Sequence, residues 1–372
     1  MKNVIVVGPD HQNTLGVIRA VGKEGFLVNL IIYSDGQHEC KCRYSRFLSG
    51  QYIHCAEIEI EIVSSILQLT VEKEKTPVIP TSDFAAMCID NNYNILIEKC
   101  FLPSINGIGG KIKEYMDKFT QKQLADKFDI KMAKTIKTFL PAPREKMNID
   151  YPCILKPVIS AIGLKSDIVL ANNEKEFEEH LNYYYKKGYE EVLIQEFIKK
   201  DYEVCIFGCL THGGREIYCG ALKKIRYSPT GDGASLSFAQ FVPVDEKLKK
   251  ILNVLQKIKY DGLFDVEVFV VGDELYLNEI NFRNSGNTWS VVNRGINTPV
   301  IWIMDRLGNN VDESTKHYID DGSFFMNETA DLRNVVKRNI NFFQWCSDLL
   351  RTKSFNKFWI QDIRGSLVWY RR

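Results

Sequence analysis

The chain has 372 residues, 45% hydrophobic and 26% charged, which predicts two or three packed domains and excludes wholesale disorder. Its 48 Lys and Arg balance 47 Asp and Glu, and a net charge of +1 gives no overall electrostatic argument for nucleic acid or a membrane surface. Ten irregularly spaced cysteines are too few for a disulfide scaffold and lack paired zinc-ligand spacing, so they are expected reduced and mostly buried, as in a cytosolic protein.

The N-terminal third reads as alternating strands and helices. Residues 4–7 are a short apolar run ending at Gly8, the pattern of a buried parallel strand. Leu15, Val17, Ile18 and Val21 follow as a helical stripe, then strands at 26–33 and 77–80. That βαβ order predicts a small doubly wound sheet. Its first turn, GPDHQN, is not GxGxxG, which argues against a dinucleotide cofactor. Residues 107–142 read as helical and basic. Strands are predicted at 153–155, 168–170, 192–194, 203–210 and 216–222, with a turn at 211–214. A helix at 246–258 precedes a hairpin of 264–271 and 274–280, and the tail from Asn310 reads as mostly helical. The N-terminus lacks a signal-peptide pattern, and no run reaches the ~18 apolar residues of a membrane span.

The hairpin carries the most chemistry. In FDVEVF and LNEINFR, Glu279, Asn281 and Arg283 alternate along one strand and so share a face. Glu267 joins them only if the loop between the strands has an odd number of residues, which is the expectation here. Two carboxylates and an amide form a hard-oxygen site suited to Mg²⁺ holding phosphates, with Arg283 facing the transferred phosphate. Lys156 sits inside the apolar run ILKPVI, where an ammonium needs an anionic partner. The loop SAIGLKS follows it and could lay backbone N–H groups over phosphate. The strand VLIQEFI could offer its polar end to an adenine edge, and Glu203 could accept ribose hydroxyls.

These pieces, in this order, resemble the ATP-grasp superfamily over nearly the whole chain, and the run after Arg283 resembles its carboxylate–amine ligase branch, near D-aspartate-ligase-like and carbamoyl-phosphate-synthase-like proteins. The resemblance implies an α/β fold: a Rossmann-like pre-ATP-grasp domain at 1–110, then a two-lobed, α+β ATP-grasp domain at 111–310. A mobile lid at about 155–197 and a helical C-terminal segment at 311–372 complete it. It implies Lys118 and Lys156 as phosphate lysines and Ser160, Gly163 and Lys165 in the lid. Gln195, Glu196, Phe197 and Ile198 would form the adenine hinge, with Glu203 beyond it. Glu267, Glu279 and Asn281 would hold Mg²⁺, with Mn²⁺ as the alternative metal. Arg283 and Lys156 would be catalytic, and Lys224 or Arg226 would hold phosphate or the substrate carboxylate. The implied activity is ATP-dependent joining of a small carboxylate to an amine through an acyl phosphate. A phosphotransferase and a non-catalytic ATP-binding module are the alternatives. The implied setting is cytoplasmic, without nucleic acid or membrane, and compatible with a homodimer.

Overall fold

The computed structural model describes residues 2–34, 36, 39–72, 74–141, 150–158, 167–229, 235–312 and 314–370. The lid residues Ser160, Gly163 and Lys165 lie outside the described residues. The chain divides into two units, one of 1–113, 204–266 and 281–372, the other of 114–203 and 267–280.

The first unit opens with a parallel five-stranded sheet. Its spatial order is Tyr52–Cys55, Leu27–Tyr33, Asn3–Gly8, Thr76–Pro80 and Cys100–Phe101. Strand side chains alternate between faces, and here both faces are apolar. Val4, Val6, Leu30 and Ile32 enter one core with the helix Gln12–Gly22. Ile5, Val7, Ile31 and Tyr33 enter another with the helix Glu59–Leu69. Gly8 ends the first strand where a Cβ would lie 1.8 Å from Thr81 Oγ1, so only glycine fits.

A second sheet in the same unit is built mainly from antiparallel strands. Tyr202–Thr211 pairs with Glu216–Tyr227, which pairs with Leu236–Val242, then Phe324–Met326. Thr352–Phe355 adds in parallel at the edge. The tail expected to be mostly helical therefore also supplies strands, because Phe325, Met326 and Ser354 are buried there. Buried Arg19 of the first helix donates to Asp362 Oδ2 at 2.8 Å, the Lys357 carbonyl at 2.8 Å and Ser366 Oγ at 2.9 Å, tying the C-terminus to the N-terminal sheet.

The second unit holds a four-stranded antiparallel sheet in the order Thr135–Phe139, Glu191–Glu196, Cys153–Lys156, Val169–Ala171. The first of these strands lies in the stretch read as helical. Its β-branched residues find a partner in Glu191–Glu196, a pairing that local pattern does not reveal. The helix Glu174–Lys186 is capped by Asn173, whose side chain accepts from Glu176 N, and it buries Phe177 and Tyr184 on this sheet. Cys153, Leu155, Ala171, Val192 and Ile194 complete this core.

All ten cysteines are free thiols. Among the described residues no helix is long and apolar enough to cross a membrane.

Candidate functional site

In the second unit the sheet itself brings three polar side chains onto one face. Thr135 pairs directly with Gln195, and Lys156 pairs with Leu193, two residues along, so all three share pleat parity. Lys156 Nζ donates to Gln195 Oε1 at 2.7 Å, and Gln195 Nε2 donates to Thr135 Oγ1 at 3.0 Å. An ammonium has no acceptor, so Gln195 must turn its oxygen to Lys156 and its amide N–H to Thr135. Both ends of the Gln195 side chain are thus engaged, leaving backbone groups as the hinge's offer to a base.

Lys156 and Lys118 are 6% and 8% exposed. Burial pushes the Lys156 ammonium down to about 7; Lys118 pushes the same way, and Glu279 and Glu267 oppose. Lys118 begins the helix Lys118–Lys127, where Asp117 caps the N-terminus through bonds from Phe119 N and Thr120 N. Its Nζ lies 3.7 Å from Glu279 Oε1. Buried Gln121, one turn on, fixes that approach. Its amide accepts from Ile280 N at 2.9 Å and donates to the Ile280 carbonyl at 2.8 Å, clamping the strand beside Glu279. Sequence reasoning missed Gln121, since a glutamine in a polar helix carries no signal of its own.

The loop between the two acids corrects the odd-loop expectation. One strand ends at Val271 and the next begins at Glu274, so Gly272-Asp273 is a two-residue turn, with Gly272 supplying a φ of +55°. An even loop removes the parity that expectation required, and the Asn278 amide lies 3.3 Å from Glu267 Oε2, while Leu277 N and Ile280 N both donate outside the hairpin, so the pleat is not regular through Glu279. The shared-face argument for a two-carboxylate metal site falls with it. What connects the acids instead is charge, because both act on Lys156. Among the described residues no group of three or more His, Cys, Asp and Glu side chains gathers as a metal site.

The remaining hinge residues lie at the end of the strand, where Glu196 still pairs with Cys153, and just beyond it. Glu196 is exposed, and its backbone N–H donates to the Lys134 carbonyl at 2.9 Å. Phe197 is exposed and Ile198 half-buried. Glu203 is 2% exposed and ion-paired with Lys200.

In the first unit, Arg283 bridges two carboxylates, Asp83 Oδ1 and Asp265 Oδ2, each at 3.2 Å. Ser285 Oγ donates to the same Asp265 oxygen at 2.9 Å. Asp83 opens the helix Asp83–Asn91, so this arginine joins the hairpin's end to the N-terminal sheet. Neither aspartate was among the sequence candidates, although Asp265 stands inside the hairpin motif. Asn281 is 6% exposed at the end of its strand. Lys224 is 5% exposed, with its Nζ 5.8 Å from the Tyr227 ring centroid. Arg226 binds Asp331 at 2.7 Å and Asp348 at 2.6 Å, two carboxylates with no side-chain exposure. That commitment is structural.

With the geometry in hand, residues 125–293 match the ATP-grasp domain model. The chain's relatives include the formate-dependent phosphoribosylglycinamide formyltransferase of Wolinella succinogenes, 30% identical over 37% of this chain and 35% of that protein. The enzyme of the same name from Geobacter metallireducens is 22% identical over 64% of this chain and 55% of its own length. The chain thus spans about a third to a half of the curated relatives it matches. Among solved structures, N5-carboxyaminoimidazole synthetase from Staphylococcus aureus shares the fold at a TM-score of 0.65 and 18% identity, covering 92% of this chain and 87% of that one. An L-amino acid ligase from Bacillus licheniformis does so at 0.57 and 12%, covering 82% and 74%.

Proposed function

We propose that this protein is an ATP-dependent carboxylate–amine ligase that forms an amide or peptide bond through an acyl phosphate. The observation that carries the reading is the meeting of two buried lysines with Glu279 inside an ATP-grasp domain. A pair of like charges in so little solvent is unfavourable alone and becomes favourable when phosphates arrive. Lys118 and Lys156 bind the phosphates of ATP, and Gln195 holds Lys156 in place. Glu196, Phe197 and Ile198 line the base, and Glu203 the ribose.

Mg²⁺ would suit the carboxylate oxygens of Glu279 and Glu267, which both act on Lys156, with the Asn281 amide two residues along the strand, and when bound it would supply charge for the phosphates. Glu279 is held beside the phosphate lysines by its ion pair with Lys118. Arg283 stabilises negative charge on the phosphoryl group and on the tetrahedral adduct of amine and acyl phosphate, as a guanidinium fork suits phosphate. Asp83 and Asp265 keep that fork oriented. The substrates are small molecules, and the setting is cytoplasmic.

The test is release of ADP and phosphate over amino acids and small carboxylic acids, singly and in pairs. Release that requires both an acid and an amine supports the ligase. Release with a phosphorylated product and no amine requirement identifies a phosphotransferase instead. Nucleotide binding without turnover on any pair leaves the non-catalytic module. Glu279→Gln should lower turnover by about 10²-fold or more with folding intact, and wild-type turnover in that variant would remove Glu279 from the site.

A further inference from the structure

The helix Phe342–Arg351 turns its apolar side outward. Its buried side chain is Asp348, whereas Phe342, Phe343 and Leu350 are 56%, 83% and 86% exposed. At ~100° per residue, Phe342, Cys346, Leu350 and Phe343 fall within one arc of about 100°, and Asp348 lies opposite. The orientation is locked. Asp348 Oδ2 accepts from Arg226 Nη1 at 2.6 Å, and Asp348 Oδ1 from Gln344 Nε2 at 3.1 Å. A groove of about 470 Å³ continues this face onto the helix Glu328–Val336 and the chain beyond Phe355. Leu332, Trp345, Leu349, Phe358, Leu367 and Tyr370 are among its lining residues.

Charge is segregated over the same segment. Residues 328–370 contain seven Lys and Arg and four carboxylates, a net of three positive charges within a whole-chain balance of +1. All four carboxylates, Glu328, Asp331, Asp348 and Asp362, are buried, and the three aspartates are paired with arginine. Arg333, Lys337, Arg338, Arg351, Lys353 and Arg364 are exposed. The outward side of this segment therefore presents aromatic and aliphatic side chains with cations, and no exposed carboxylate of its own.

We propose that this face docks on the surface of an anionic phospholipid bilayer. Phe342, Phe343 and Leu350 enter the boundary between headgroups and acyl chains, and the surrounding cations meet lipid phosphates. Charge selects this occupant. A second copy placed symmetrically on the face would bring like cations together, whereas an anionic bilayer complements them. A peripheral contact of this kind needs no membrane-spanning segment.

The full chain is tested by co-sedimentation with vesicles of phosphatidylcholine alone and of phosphatidylcholine with phosphatidylserine. The expected result is binding to the second kind only, weakened by salt. Phe343→Ser with Leu350→Ser should lower the partition coefficient by about tenfold or more. Arg338→Glu with Lys353→Glu should lower it by a similar factor. Both pairs sit on exposed positions, and unchanged thermal midpoints verify folding. If the apolar pair misfolds, the charge pair alone decides. Failure to bind anionic vesicles, or equal binding to neutral ones, overturns the proposal. So does a concentration-dependent dimer that Phe343→Ser with Leu350→Ser converts to monomer, which would make the face a contact between copies.

Discussion

Replacing Lys156 by Met should stabilise the protein below neutral pH while impairing its hold on nucleotide. The ammonium's ordinary value of 10.5 falls to about 7, chiefly through burial and then through Lys118. Between those values the unfolded chain binds more protons than the folded one, so this group's contribution to stability improves as pH rises through the window. Below pH 7 the folded protein bears the whole cost of the buried charge, about 5 kcal/mol at ~1.36 kcal/mol per pH unit. Methionine removes that cost but leaves Gln195 Oε1, now bonded at 2.7 Å, without its donor, a loss of about 2 kcal/mol. The variant should therefore gain about 3 kcal/mol at about pH 6, with the advantage vanishing near about pH 9. Urea unfolding of both proteins across that range measures the difference, and calorimetric titration with a nonhydrolysable ATP analogue measures the lost affinity. A Met variant less stable than wild type at about pH 6, or two stability curves that stay parallel with pH, would refute the buried-ammonium reasoning.

Arg226→Ala strands Asp331 as a buried carboxylate without its arginine and leaves Asp348 only the half-exposed Arg351, and should cost about 3–5 kcal/mol in chemical denaturation; a loss below about 1 kcal/mol would show the pairs to be weakly coupled to folding. Gly8→Ala places a Cβ 1.8 Å from Thr81 Oγ1 and must disturb the 2.7 Å Thr14–Thr81 contact, for an expected loss of about 1–3 kcal/mol. A thermal midpoint equal to that of wild type would contradict it. Gln121→Ala releases the clamp on Ile280 and should lower nucleotide turnover more than stability, because it frees Glu279 from its approach to Lys118. Equal turnover per folded molecule in that variant would return Gln121 to a packing role.

Much of the molecule was legible in its sequence, for reasons that are local. The run at 4–7 is apolar at every position, which only a strand covered on both faces tolerates, and Gly8 marks its end. Lys156 stood out because a charge inside ILKPVI has to be explained, and it is indeed buried. Tertiary structure decided whatever depends on partners distant in the chain. The strand Thr135–Phe139 exists because Glu191–Glu196 pairs with it. Arg226 could be read as a ligand for phosphate until Asp331 and Asp348, more than a hundred residues away, claimed it. The length of the Gly272-Asp273 turn was likewise decided by the folded hairpin, and the outward hydrogen bonds of Leu277 and Ile280 break the period-two pleat on which the parity reasoning relied. The outward aromatic face of Phe342–Arg351 was equally hidden. Periodicity reveals that a helix has an apolar side, whereas the buried Asp348 ion pairs determine which way that side points.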